Sequence, residues 1–144
     1  MEAKKIIITG SATRIGAAIA KSLAGYGIKM TLHYNKSEKE VKKLKTELEN
    51  IGCEVFLIKA DLSKIKQTKK IIHSSYKKMG GMDCLINNAS LFEKDALSNF
   101  SEKSFNNHID INLRAPAILI QDFKKYIRLK KGNIINIIDQ RIFK

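Results

Sequence analysis

Short apolar runs along the chain alternate with longer segments whose apolar residues recur at helical spacing. The apolar runs predict strands at residues 5–9, 28–34, 54–60, 82–87 and 133–139. The segments between them predict helices at residues 15–26, 37–50, 63–79 and, as one long or broken stretch, 101–130. Parallel strands need crossover connections that pass over the sheet, so the alternation predicts an α/β fold with a parallel sheet covered by helices on both faces.

No repeat, linker or low-complexity tract divides the chain, and its 144 residues correspond to about one domain. We therefore expect residues 1–144 to form a single domain. At the start of the second predicted helix, Ser37 followed three residues later by Glu40 fits a capping box.

The formal net charge of +13 would suit a polyanionic partner. However, only four of the 27 basic residues are arginines, and the lysines are spread over several helical segments instead of forming one stripe. Recognition of bases and phosphates favours arginine, so we expect no nucleic-acid partner. A basic nucleic-acid-binding or regulatory module is kept as the least favoured hypothesis.

No apolar stretch approaches the ~18 residues that span a bilayer, and the apolar run after Lys5 is too short for a secretory signal. We therefore expect a cytoplasmic protein with no membrane partner. Cys53 and Cys84 lie far apart, and the three histidines show no ligand spacing, so we expect neither a disulfide framework nor a metal site.

The first strand ends in residues 9–16 (Thr-Gly-Ser-Ala-Thr-Arg-Ile-Gly), which lead directly into the first helix. Glycine lets backbone N–H groups approach a pyrophosphate, and the start of a helix attracts its negative charge. Gly10 and Gly16 therefore make this turn a candidate phosphate-binding loop. An ordinary tight turn between strand and helix is the alternative interpretation of a glycine pair.

The end of the second strand is where dinucleotide-binding folds read the adenosine ribose. An acidic residue there would bind the 2′-hydroxyl of NAD, but residues 33–37 read His-Tyr-Asn-Lys-Ser, with no acid before Glu38. A cation and hydrogen-bond donors suit the 2′-phosphate of NADP instead, and Arg14 is the natural second cation. We therefore expect NADPH/NADP as the cofactor. The alternative is that Lys36 is one more lysine in a lysine-rich chain.

These motifs resemble those of the short-chain dehydrogenase/reductases, and within them the pteridine-reductase type. Arg14 stands at the middle glycine of the family pattern Thr-Gly-x-x-x-Gly-x-Gly, a replacement typical of pteridine reductases. Residues 61–62 (Asp-Leu), residues 87–89 (Asn-Asn-Ala) and Asn112 match further family motifs. The resemblance runs from Lys5 to the end of the chain. It implies a Rossmann-type, doubly wound parallel sheet, here with about five strands between two helical layers.

The resemblance also implies roles for individual residues. Those that it places against the cofactor are Gly10, Arg14, Ile15, Gly16, Asn35, Lys36, Ser37, Asp61, Leu62, Asn88 and Ala89. Arg14, Ser90 and Phe92 would contact the substrate, with Phe92 stacked on a pterin ring. Asn112 would be the helix asparagine of the catalytic tetrad, and Asp139 the aspartate that replaces the general family's catalytic serine. From the residues alone, Phe92 packed back onto the core and Asp139 as a strand-end cap remain equally open.

The family's Tyr-x-x-x-Lys pair, which supplies a proton and holds the nicotinamide ribose, does not follow the fifth predicted strand in this sequence. A sixth strand is not predicted either, so the isoleucine-rich fifth strand should be an exposed apolar edge. We therefore expect the chain to lack the C-terminal part of the family fold. The explanations that remain open are an incomplete reading frame, a degraded gene and an expressed fragment.

The leading hypothesis is an NADPH-dependent short-chain oxidoreductase that transfers hydride to a pterin-like (dihydropteridine or dihydrofolate) or carbonyl substrate. The alternative is a catalytically incomplete, nucleotide-binding remnant of such an enzyme. The resemblance further implies a small-molecule substrate and, for full-length members of the family, a homo-oligomer.

Overall fold

The fold is built on one parallel sheet. The computed structural model describes residues 4–94, 96, 98–127 and 131–138. The strands are β1 (Lys5–Ile8), β2 (Lys29–Tyr34), β3 (Glu54–Lys59), β4 (Cys84–Asn87) and β5 (Asn133–Asn136). They lie in the order β3-β2-β1-β4-β5, and every neighbouring pair is parallel. The predicted doubly wound sheet is therefore confirmed.

The helices connect the strands and cover both faces of the sheet. They are α1 (Arg14–Ser22), α2 (Glu38–Glu49), α3 (Ile65–Met79), α4 (Glu102–Ile109) and α5 (Ala115–Tyr126). The predicted stretch 101–130 is broken, because a π-helical turn at Asp110–Arg114 separates α4 from α5. Pro116 in the first turn of α5 has no N–H to donate to the carbonyl of Asn112, so regular α-helical bonding is interrupted there.

Two apolar clusters lie on opposite faces of the sheet, because successive side chains of a strand point to opposite sides. Ile8 of β1 belongs to the cluster that includes Leu44 of α2, together with residues of α1. Its neighbour Ile7 belongs to the other cluster, with Ile72 of α3 and Phe123 of α5. The layers are therefore helix, sheet and helix, as the alternating pattern predicts.

The β5 strand forms one edge of the sheet in the described part of the chain, and all four of its residues are exposed. Ile135 is 44% exposed, and Ile138, just beyond the strand, is 60% exposed. The prediction of an exposed apolar edge is confirmed. An edge of this kind presents unpaired backbone groups and apolar side chains to any neighbouring strand.

The start of α2 differs from the prediction. Ser37 is the residue before the helix, but it makes no side-chain capping bond in the described structure. Its φ of −81° and ψ of 62° lie outside the extended region that an N-cap residue normally adopts, so the predicted capping box is wrong. By contrast, Ser101 is extended before α4, and its Oγ accepts a hydrogen bond from the Ser104 N–H.

Across the described residues, no helix combines the length and the apolar character that crossing a membrane requires.

Candidate functional site

The loops that follow β1 to β4 meet at the carboxyl edge of the sheet. The strand order reverses beside β1, with β2 on one side and β4 on the other. In parallel α/β sheets a ligand crevice forms at this reversal, outside the carboxyl ends of the strands. The motif residues 10–16, 35–37, 61–62 and 88–92 lie in these loops or at the adjoining helix starts, whereas Asn112 lies in the π-helical turn before α5.

The loop after β1 depends on two glycines. Gly10 has a φ of +61°, and a Cβ there would lie 2.8 Å from the Cα of Ala89. A Cβ on Gly16 would overlap the Gly10 carbonyl oxygen and would lie 2.6 Å from Nδ2 of Asn88. The first turn of α1 therefore packs directly on the loop. This supports the interpretation that both positions require glycine because a side chain would not fit there.

Asn88 and Thr9 tie the loop after β4 to the loop after β1. The Asn88 side-chain amide donates to the carbonyl oxygens of Thr9 and Gly10, each at 3.0 Å. In return, the Thr9 hydroxyl oxygen accepts from the N–H groups of Asn88 and Ala89, also at 3.0 Å. The side-chain amide of Asn88 thus holds the two loops together, a role that the sequence motif does not predict.

His33, on β2, links the loop after β1 to the residue that follows β3. It is 2% exposed, its Nδ1 accepts from the Gly10 N–H at 3.1 Å, and its Nε2 lies 3.1 Å from the Ala60 carbonyl oxygen. Burial lowers the pKa of His33 to about 4, although its bond to Ala60 acts in the opposite direction. The spacing of the histidines, which indicates no metal site, does not predict this role. A histidine inside an apolar strand is itself a signal, because a buried imidazole needs hydrogen-bond partners.

Exposed cations lie at the start of α1 and after β2. Arg14 is exposed, and its φ of +51° is unusual for a residue with a side chain. Asn35 and Lys36 are exposed, and Ser37 is half-buried. Because β1 and β2 are neighbours, these residues share one part of the sheet edge.

The acid that follows this segment is held by two lysines. The Glu38 carboxylate lies 2.7 Å from Nζ of Lys42 and 3.6 Å from Nζ of Lys59. The hydrogen bond from Lys42 is the main cause of the lowered pKa of Glu38. At neutral pH the carboxylate is therefore ionised, and its charge is offset by these two cations.

The loop after β3 is closed by its own side chains. The Asp61 carboxylate accepts from the Ser63 N–H at 2.9 Å and from the Ser63 hydroxyl at 2.8 Å, which forms an Asx turn. The Asp61 N–H donates to Oε1 of Gln67 at 2.7 Å. Leu62 is 7% exposed and packs in the cluster beneath α3. One carboxylate oxygen of Asp61 is thus used within the loop, and the side chain of Leu62 belongs largely to the core.

The loop after β4 is held by the π-helical turn. Oδ1 of Asn112 accepts from the Leu91 N–H, and its Nδ2 donates to the Leu91 carbonyl oxygen, both at 2.8 Å. Ser90 is exposed and Phe92 is 67% exposed, so Phe92 is not packed back onto the core. The side-chain amide of Asn112 therefore positions the segment that presents Ser90 and Phe92. Turns of this kind are frequent at functional sites.

At the end of the sheet, the Asn87 side chain donates to Oδ1 of Asn136 at 2.9 Å and so joins β4 to β5. The sequence motifs do not predict this pair. Asp139, the predicted catalytic aspartate, lies outside the described residues. Within the described part of the chain, no group of three or more metal-ligating side chains is close enough to hold an ion.

A family model described as short chain dehydrogenase matches residues 4–140. This range contains the loops after β1 to β4 and the π-helical turn, and so includes every described part of the candidate site.

Relatives and solved structures agree with that match. Short-chain dehydrogenase/reductase GME11373 of Pestalotiopsis microspora is 29% identical over 135 residues, which are 94% of this chain and 51% of the relative. The 3-oxoacyl-[acyl-carrier-protein] reductase FabG of Staphylococcus epidermidis is 30% identical, over 93% of this chain and 55% of the relative. The crystal structure of FolM alternative dihydrofolate reductase 1 from Brucella canis, complexed with NADP, is similar with a TM-score of 0.88 and 30% identity. That similarity covers 96% of this chain and 56% of the FolM chain. The chain thus spans about half the length of the curated relatives it matches.

Proposed function

This chain belongs to the short-chain dehydrogenase family, and from that premise we propose that the carboxyl edge of its sheet binds NADPH. We propose further that the chain is the dinucleotide-binding part of an oxidoreductase. That oxidoreductase would transfer hydride to a pterin-like or carbonyl substrate. The observation that carries the proposal is the exposed start of α1 beside the exposed cationic segment after β2. The first turn of α1 holds no acidic residue, so its positive end is open to an anion.

The pyrophosphate of the cofactor would lie against the loop after β1 and the first turn of α1. Gly10 and Gly16 allow that loop and helix to approach closely, and Arg14 and Ile15 are exposed at the helix start. The first N–H groups of a helix have no partner within it and suit phosphate oxygens. These residues therefore supply donors and positive charge where a pyrophosphate needs both.

The 2′-phosphate of NADPH would be recognised by Arg14 together with Asn35, Lys36 and Ser37. The nearest acid in the sequence, Glu38, is offset by its lysine partners and so opposes a phosphate less than a free carboxylate would. Charged hydrogen bonds to phosphate favour NADPH over NADH, which lacks this group.

The remaining predicted contacts divide between the two halves of the cofactor. Asp61 and Leu62 would lie beside the adenine ring, and Asn88 and Ala89 beside the nicotinamide half. Bound NADPH would supply the hydride. The protein would hold the nicotinamide near the acceptor, which is the positioning that hydride transfer needs.

The proposed substrate site is the loop after β4. Phe92, which is 67% exposed, would stack on a flat heterocycle, and Ser90 and Arg14 would contribute polar contacts. The similarity to a FolM alternative dihydrofolate reductase supports a pterin-like substrate. Asp139 would assist protonation, and Asn112 would hold the loop in place. The 144 residues contain no Tyr-x-x-x-Lys after β5, so the turnover proposed here is that of a protein in which this pair follows.

The test of the cofactor proposal is a fluorescence titration of the chain with NADPH and with NADH. The variants are Arg14→Ala and Lys36→Ala, and the matched control is Lys77→Ala, an exposed lysine in the last turn of α3. We expect each of the first two substitutions to remove about 1.5–3 kcal/mol of NADPH binding and to leave NADH binding nearly unchanged. The control should change neither affinity. Equal affinity of the unsubstituted chain for the two nucleotides would refute the proposal.

A further inference from the structure

The His33 imidazole joins the carboxyl ends of three neighbouring strands. His33 lies on β2, and its ring contacts the backbone of Gly10 after β1 and of Ala60 after β3. Its own carbonyl oxygen accepts the N–H and the hydroxyl of Ser11, at 3.0 and 3.1 Å. One residue therefore holds two consecutive residues of the loop after β1.

The two ring contacts require one protonation state. The Gly10 N–H can only donate, so Nδ1 of His33 must be the acceptor. The Ala60 carbonyl can only accept, so the proton must be on Nε2. A doubly protonated ring would direct a second N–H at the N–H of Gly10. The low pKa that burial gives His33 keeps the ring neutral at physiological pH.

These contacts matter for the loop because they act on Gly10 from both sides. His33 binds the Gly10 N–H, while Asn88 binds the Gly10 carbonyl oxygen. Gly10 has a positive φ and lies between the end of β1 and the start of α1, so the regular bonding of a strand or helix does not hold it. The direction in which the chain leaves Gly10 toward Arg14 is therefore set largely by these side chains.

We propose that His33 is a positioning residue for dinucleotide binding: by accepting the Gly10 N–H, its imidazole holds residues 10–14 in the conformation that receives the cofactor. This inference rests on the proposed function, because it assigns the loop's geometry to the same NADPH site. It also makes a separate statement about the free protein, namely that the Gly10 N–H is protected by the His33 ring.

Three substitutions separate the two ring contacts. In His33→Asn, the side-chain oxygen can take the place of Nδ1 and accept from Gly10, but the side chain is too short for Ala60. In His33→Gln, the side-chain amide can reach Ala60 but leaves the Gly10 N–H without its acceptor. In His33→Leu, both contacts are lost at similar volume. Each variant is examined in the full 144-residue chain.

The first measurement is hydrogen exchange of the Gly10 amide without cofactor, with thermal unfolding measured in parallel. We expect slow exchange in the original chain and in His33→Asn, and at least about tenfold faster exchange in His33→Gln and His33→Leu, since a partly buried donor has lost its partner. If the Gly10 amide exchanges at the same rate in all four proteins, the inference is overturned whether or not NADPH binds.

The second measurement is the dissociation constant for NADPH. We expect it to rise about tenfold in His33→Gln and His33→Leu, and to stay within about threefold in His33→Asn. If His33 had only a structural role, NADPH affinity would fall in proportion to the loss of stability. An equal loss of NADPH affinity in His33→Asn and His33→Gln, at equal free energies of unfolding, would therefore contradict the inference. Absence of NADPH binding in the original chain, with the expected exchange pattern, would refute the proposed function and leave the loop contact confirmed.

Discussion

Substituting Gly16 by alanine tests the central contact between α1 and the loop after β1. Gly16 is the third residue of α1, where alanine would ordinarily favour the helix by about 1 kcal/mol. The added methyl group would overlap the Gly10 carbonyl oxygen and would lie 2.6 Å from Nδ2 of Asn88 and 2.8 Å from the Cα of Ser11. Two of these three contacts are with backbone atoms, which cannot move aside as a flexible side chain can.

The expected effect of Gly16→Ala is a loss of stability of about 1–5 kcal/mol. Overpacking against fixed atoms costs about 1–3 kcal/mol. Nδ2 of Asn88 and the Gly10 carbonyl oxygen are 3.0 Å apart, and the methyl group would separate them. The polar group left without its partner costs about 1–3 kcal/mol more. The gain in helix propensity offsets only about 1 kcal/mol of this.

The assay is urea unfolding of the original chain, of Gly16→Ala and of a control, Gly25→Ala. A Cβ on Gly25 would meet no atom within 4 Å, and its φ is not positive. The control should therefore be neutral or more stable, by up to about 1 kcal/mol. NADPH affinity should fall in Gly16→Ala and not in the control. A free energy of unfolding for Gly16→Ala within about 0.5 kcal/mol of the original would refute the packing argument.

Three further predictions follow from the site. Arg14→Gly should stabilise the chain by about 1 kcal/mol in urea unfolding, because it relieves a positive φ, while NADPH binding weakens; a loss of stability would contradict this. The unfolded chain takes up a proton at His33 near pH 6.5 and the folded chain only near pH 4, so stability should fall as pH is lowered through this window, by about 3 kcal/mol in total. His33→Asn, measured by unfolding at several pH values, should flatten that slope, and an unchanged slope would contradict the assignment. A polypeptide of these 144 residues should show no steady NADPH oxidation with a dihydropterin, since general acid catalysis alone contributes about 10²–10⁴-fold. Joining it to a segment with Tyr-x-x-x-Lys and a sixth strand should restore turnover, and comparable rates with and without that segment would show the segment to be dispensable.

The strands and their layers could be predicted because their chemistry is local. A run such as Ile6, Ile7 and Ile8 has to be buried on both faces, and this burial requires helices on both sides of a parallel sheet. The two glycines of the first loop could be predicted for the same reason, since no other residue type fits a close approach of backbone to backbone.

The contacts that the sequence pattern missed are those between polar groups of different strands. Nothing in the spacing shows that His33 meets Gly10 and Ala60, or that Asn87 meets Asn136, because these pairs depend on the register of neighbouring strands. The capping box was predicted from residue types alone, and the backbone angles of Ser37 do not support it.

Binding of NADPH at the carboxyl edge of the sheet can be observed residue by residue through amide NMR of the labelled chain during titration with the nucleotide. Adding NADPH should shift the amide signals of residues 10–16, 35–37 and 88–90, which lie in the loops after β1, β2 and β4 and in the first turn of α1. NADH should shift the amide signals of residues 10–16 and 88–90 only at higher concentration. It should shift the signals of residues 35–37 little, since NADH carries no 2′-phosphate. Signal shifts confined to the lysine-rich surface of α3, or no shifts with either nucleotide, would refute NADPH binding at the carboxyl edge of the sheet.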